Sequence, residues 1–140
     1  MIAPQVETPK YVLLDDAQRI GPEILALDSG QNCAAVYGFS DKQPYDTFCR
    51  NSEQSLTPYP LVKGYLQNQL EVAGDTLLFV VMDAAGPDEP ILHASTMQCV
   101  FEAHQKQSPL VTVSHRLTKD EQSSAYRVAE YVLGVSPAIP

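Results

Sequence analysis

The chain has 140 residues, 44% hydrophobic and 19% charged, which predicts one folded domain with its own core and disfavours intrinsic disorder. Nine basic and 17 acidic residues give a net charge of -8, which disfavours binding to nucleic acid or to anionic membranes. No signal peptide or membrane-spanning run is visible and the three cysteines form no C-x-x-C pair, so we predict a cytoplasmic protein with three free thiols.

Three short apolar runs occur in the first forty residues. Residues 1–9 contain two prolines and little periodicity, and we predict a loose tail there. Residues 11–14, 24–27 and 33–39 are each consistent with a strand, and Asp28, Ser29 and Gly30 provide a turn between the last two. The order predicts a three-stranded antiparallel meander.

Two helices are predicted after the meander. Residues 40–43 fit a capping box, in which Ser40 would cap a helix that carries Tyr45 and Phe48 on one face. After a loop with prolines, residues 62–70 have apolar side chains at helical spacing.

Residues 76–82 form the clearest strand of the sequence. The run is apolar after Thr76 and has no polar alternation, which is typical of a strand covered on both faces. We therefore predict that it lies at the centre of the sheet.

Two more helices and one more strand follow in the last third of the chain. Residues 95–98 form a second capping box before a helix, and residues 110–113 are consistent with a strand. A third capping box at residues 118–121 predicts a final helix. Its inner face would carry Ala125, Val128, Ala129 and Val132, with Gly134 as its C-terminal cap.

The resulting element order is β-β-β-α-α-β-α-β-α. This order predicts an α/β or α+β fold, with one mixed sheet of about five strands and helices packed on it. The globular domain is expected over residues 10–134, and residues 135–140 are expected to form a second loose tail.

No recognisable catalytic or nucleotide-binding motif is present. The sequence has no G-x-x-x-x-G-K-[ST], no G-x-G-x-x-G and no G-x-S-x-G. The three histidines, His93, His104 and His115, form no i, i+4 pair that could hold a metal on one helix. We therefore assign no cofactor, no catalytic residue and no metal ligand set.

The loop after residues 76–82 is the most informative candidate for a ligand site. In open α/β sheets, ligands bind beyond the carboxyl ends of the strands, where Asp83, Asp88 and Glu89 are expected. Carboxylates there could bind Mg²⁺ or Ca²⁺, although Asp, Gly and Pro are also typical of any exposed turn. Asp15 and Asp16 follow another strand, and His93 is close in sequence, so these three residues join the candidate set.

Tyrosines on the last predicted helix suggest an interface. Tyr126 and Tyr131 lie off the apolar stripe of that helix, and exposed aromatic side chains are common in protein interfaces. The leading hypothesis is a non-catalytic module that binds another protein or a second copy of itself. The alternative is a small-molecule or divalent-metal site, with or without enzymatic activity, at the loop after residues 76–82.

Overall fold

A computed structural model of the chain describes residues 5–15, 18–27, 29–52, 59–87 and 89–130. Three helices lie in these residues: α1 (Lys42–Ser52), α2 (Lys63–Ala73) and α3 (Met97–Gln105). The strands of the first half are β1 (Gln5–Glu7), β2 (Tyr11–Val12), β3 (Leu14–Asp15), β4 (Gln18–Arg19), β5 (Cys33–Phe39) and β6 (Tyr59–Pro60). Those of the second half are β7 (Leu77–Met82), β8 (Ile91–Thr96), β9 (Leu110–Thr112), β10 (His115–Lys119) and β11 (Tyr126–Glu130).

Seven of the strands form one mixed sheet, in the order β11-β10-β8-β7-β5-β2-β6. β7 lies at its centre, parallel to β5 and antiparallel to β8. The central strand predicted over residues 76–82 is therefore confirmed. The predicted α/β class and mixed sheet are also confirmed, with seven strands where about five were expected.

Helices cover both faces of the sheet. On the first face, α1 inserts Tyr45 and Phe48 among core side chains that include Tyr37 and Phe79. On the opposite face, α2 and α3 pack against alternate residues of β5 and β7. Because successive strand residues point to opposite faces, both central strands are apolar along their whole length.

The segment after β4 shows that the sheet is strongly curled. The Tyr37 N–H of β5 donates to the Ile20 carbonyl (3.0 Å), and the Tyr126 N–H of the edge strand β11 donates to the Glu23 carbonyl (2.9 Å). β5 and β11 lie four strand spacings apart in the sheet order, or ~19 Å in a flat sheet. Since Ile20 and Glu23 are three residues apart, they span at most ~11 Å. The sheet therefore curls around the core on the α1 face, which we call the first core, until β11 approaches the side of β5 that faces away from β7.

The final helix predicted from residue 118 onward is wrong, because Thr118 lies in β10 and residues 126–130 form β11. β11 pairs antiparallel with β10, and Leu117 faces Val128. Tyr126 is buried and Val128 half-buried, whereas Arg127 and Ala129 are exposed. This alternation is typical of a strand with one covered face. The spacing of Ala125 and Ala129 also fits a helix, which is why the sequence predicted one.

The N-terminal part also differs from the predicted meander. The strand at residues 33–39 is confirmed as β5, but residues 24–27 contribute only an isolated bridge from Ile24 to Tyr126. Residues 5–7 fall in the predicted tail, and they pair as β1 with β9 in a separate two-stranded sheet. Residues 1–4 and 131–140 lie outside the described residues.

Candidate functional site

Asp83 connects the carboxyl ends of the parallel strands β5 and β7 through hydrogen bonds. Its Oδ1 accepts the Ser40 N–H (2.7 Å), and its Oδ2 accepts the Ser40 hydroxyl (2.8 Å). Its own N–H donates to the Gly38 carbonyl (2.9 Å), and its φ of 49° is in the left-handed region. Ser40 does not cap α1 as predicted, because α1 begins at Lys42 and the Lys42 N–H donates to the Asp41 Oδ1 (2.8 Å). The Asp83 carboxylate has a structural role at this end of the sheet.

The other predicted ligand residues that the structure describes, Asp15, Glu89 and His93, form no metal-binding group with Asp83. Glu89 is half-buried, and its carbonyl accepts the Tyr126 hydroxyl. His93 is exposed on β8, opposite Arg116 of β10. Asp15 lies in β3, whereas Asp16 and Asp88 lie outside the described residues. Within the described part of the chain, no three His, Cys, Asp or Glu side chains are grouped closely enough to hold a metal ion.

Substitution of Asp83 by asparagine should lower the free energy of unfolding by about 1–2 kcal/mol. Asparagine tolerates the positive φ and its Oδ1 can accept the Ser40 N–H. Its Nδ2, in the place of the second carboxylate oxygen, cannot accept the Ser40 hydroxyl, and the charge that strengthens both bonds is lost. Urea denaturation of the wild type and the variant measures the difference. Asp75→Asn, an exposed change at the other end of β7, is the control and should be neutral. Equal stability of Asp83→Asn and Asp75→Asn would contradict the structural role.

Tyr126 is not the exposed interface residue that the sequence predicts. Its side chain is 2% exposed and belongs to the first core, and its hydroxyl donates to the Glu89 carbonyl. The reason is the strand geometry of β11, which turns Tyr126 inward together with Val128. The second predicted interface residue, Tyr131, lies outside the described residues.

The three cysteines are free and half-buried. Burial raises the pKa of the Cys33 thiol, which disfavours the reactive thiolate. No cysteine lines the cleft described below.

A cleft of about 440 Å³ opens beside β11, between this strand and the segment that contains Leu25 and Gln31. We call it the β11 cleft. One wall is the segment that leaves β11 after the Ile24 bridge, and the other wall is formed by β10 and β11. The lining residues are Leu25, Ala26, Leu27, Gln31, Leu77, His115, Arg127, Val128 and Glu130.

The β11 cleft exists because one backbone segment turns away from β11. The Leu25 N–H still donates to the Tyr126 carbonyl (2.9 Å), as in a parallel ladder. Two residues later, the Leu27 N–H donates to the Gln31 carbonyl (3.0 Å) within a local turn. Gly30 has a φ of 90° in this turn, which favours glycine.

The turn leaves a stretch of the β11 edge that no other described segment pairs with. The N–H of Tyr126 donates to the Glu23 carbonyl, and its carbonyl accepts the Leu25 N–H. Both bonds lie on the side away from β10, and we call the described residues 23–27 the outer segment. Because alternate residues of a strand direct their backbone groups to the same side, those of Val128 also point away from β10. Among the described residues, no backbone group of the outer segment bonds to Val128. The Val128 N–H and carbonyl therefore lie on the open side of β11, where Val128 lines the β11 cleft.

His115 forms the polar floor of the β11 cleft. The Ser114 Oγ lies 2.8 Å from its Nδ1, and its ring packs edge-on against Phe79 at 4.8 Å between centroids. Its Nε2 lies 4.0 Å from a carboxylate oxygen of Glu130. Burial lowers the pKa of His115, and the Glu130 carboxylate offsets part of that shift. The imidazole is therefore neutral at pH 7.

Ser114, His115 and Glu130 do not form a nucleophilic triad at the β11 cleft. The Ser114 hydroxyl also accepts the Thr96 N–H (3.3 Å), and Ser114 is not among the lining residues. A nucleophile would have to reach a bound substrate, so this arrangement orients the imidazole instead. Sequence reasoning missed the pair of His115 and Glu130, although the period-two alternation of residues 126–130 could have indicated the strand that places them together.

Comparison with known proteins gives no further assignment. The chain matches no family model, no curated protein and no solved structure. Among the described residues, none of the helices is long and apolar enough to cross a membrane. The function must therefore be inferred from the chemistry of the β11 cleft and of the Asp83 loop.

Proposed function

We propose that this protein is a non-catalytic binding module that holds an extended peptide segment of a partner protein in the β11 cleft. The segment would add to the sheet as a strand beside β11. The observation that carries the proposal is the backbone of Val128, a residue that lines the cleft: its N–H and carbonyl point away from β10 and bond to no backbone group of the other described residues. Exposed strand edges of this kind bind peptides through main-chain hydrogen bonds.

The dimensions of the β11 cleft support this proposal. Its volume of about 440 Å³ falls within the usual range of ligand sites, about 300–1,000 Å³. The lining combines apolar side chains such as Leu25 and Leu77 with the polar groups of Gln31 and Glu130. A peptide strand needs both, because its side chains alternate between two faces.

The alternative function, a small-molecule or divalent-metal site at the loop after β7, has weaker support. Both oxygens of Asp83 accept hydrogen bonds from Ser40, so binding a cation there would compete with a contact of the fold. We also infer a cytoplasmic location and no binding to nucleic acid or membranes. The net charge of -8 and the three free thiols support this inference.

Strand addition can be tested with a library of random decapeptides displayed on phage. We expect the wild-type protein to enrich binding peptides, and Val128→Pro to weaken the best of them about tenfold, because proline removes the edge N–H. Proline is tolerated at such an outward position of an edge strand, so the fold should survive. Isothermal titration calorimetry with the synthetic peptide measures the effect.

Two further variants complete this test. Val128→Ala removes the same side-chain contacts but keeps the N–H, and it should bind within about threefold of the wild type. Ala26→Trp fills the β11 cleft from the exposed wall and should abolish binding, which covers the case that Val128→Pro does not fold. Failure to enrich any peptide, or full binding by Ala26→Trp, would overturn the proposed function.

A further inference from the structure

We infer that the β11 cleft selects peptides that carry a lysine or arginine side chain, seated against Glu130. The inference rests on the proposed function. It names the chemistry of the partner: an extended segment with a basic residue at one defined position. Three features of the cleft support this specificity.

The first feature is the position of Glu130. Glu130 pairs with His115 across the β10–β11 ladder. It lies two residues after Val128, so the side chains of Glu130 and Val128 point to the same face of the sheet. Glu130 lines the cleft, yet its side chain is 83% exposed. Its carboxylate can therefore meet a cationic side chain that enters with the peptide.

The second feature is that, within the described part of the chain, no lysine or arginine forms an ion pair with this carboxylate. His115 lies 4.0 Å away but is neutral at pH 7, because burial lowers its pKa. The only other charged lining residue, among those described, is Arg127, and its guanidinium donates to an Asp120 oxygen at 3.1 Å. Arg127 also belongs to the alternate set of β11 residues, away from the face of Glu130.

The third feature is the register that strand addition imposes. A peptide strand beside β11 would place one of its side chains directly opposite Glu130, with Cβ atoms ~5 Å apart. Opposite charges in such cross-strand pairs are favourable, and like charges are unfavourable. The net charge of -8 adds a long-range attraction for basic segments.

The experiment repeats the decapeptide selection on the wild type and on three variants. Glu130→Gln removes the charge, Glu130→Lys reverses it, and Glu71→Gln removes an exposed charge on α2 as the matched control. We expect lysine or arginine to be enriched at one position by the wild type and by Glu71→Gln. That enrichment should be lost with Glu130→Gln and should change to aspartate or glutamate with Glu130→Lys.

Affinities of one selected peptide complete the test. Replacing its basic residue by glutamine should weaken binding to the wild type about fivefold and leave binding to Glu130→Gln unchanged. Peptides enriched without a basic preference, or with one that persists in Glu130→Gln, would overturn this specificity while leaving strand addition intact. If the wild type enriches no peptide, the proposed function itself fails, and this inference fails with it.

Discussion

Replacement of Phe79 by alanine is expected to lower the free energy of unfolding by about 3–5 kcal/mol. Phe79 lies on the central strand β7 and is fully buried. Its ring contacts that of His115 on β10, so it joins strands that are not neighbours in the sheet. Alanine would leave a cavity where the curled sheet closes over the first core, and cavity formation adds to the lost burial of the ring.

Urea denaturation measures this loss directly. Phe101→Ala is a matched control, because Phe101 is only partly buried at the margin of the opposite core and should cost clearly less. A loss below about 1 kcal/mol for Phe79→Ala would contradict the central position of its ring.

Substitution of Gly21 by alanine is expected to cost about 3 kcal/mol or more, which could prevent folding at 37 °C. A Cβ atom at this position would lie 1.9 Å from the Ala35 carbonyl oxygen and 2.5 Å from its carbon. These are backbone atoms of β5, which the neighbouring β7 holds in register. The clash can therefore be relieved only by moving the segment that bonds to β5 at Ile20 and to β11 at Glu23.

The effect of Gly21→Ala can be measured by thermal and urea denaturation. Gly64→Ala is the control, because no atom lies within 4 Å of a Cβ built at this position of α2. Removing a helical glycine should raise stability by about 0.5–1 kcal/mol. A Gly21→Ala protein as stable as the wild type would show that residues 20–25 do not close the sheet.

The class of the fold and its central strand follow from the sequence by itself. The uninterrupted apolar run from Leu77 to Met82 has no solvent-facing residue, so burial on both faces was predictable. The strand Cys33–Phe39 and the three helices α1, α2 and α3 were likewise evident from local periodicity and from turn residues. Each of these signals lies within one short segment.

The last strand and the candidate site were decided only by the tertiary structure. Residues 126–130 carry both a helical stripe and a strand alternation, and their pairing with β10 selects the strand. The bond between Asp83 and Ser40 joins residues 43 positions apart, and Gly21 is needed only because Ala35 lies against it. The β11 cleft likewise depends on the turn at Gly30, which directs the described residues before it away from the Val128 backbone. Such contacts between distant segments arise from chain packing, and local periodicity carries no information about them.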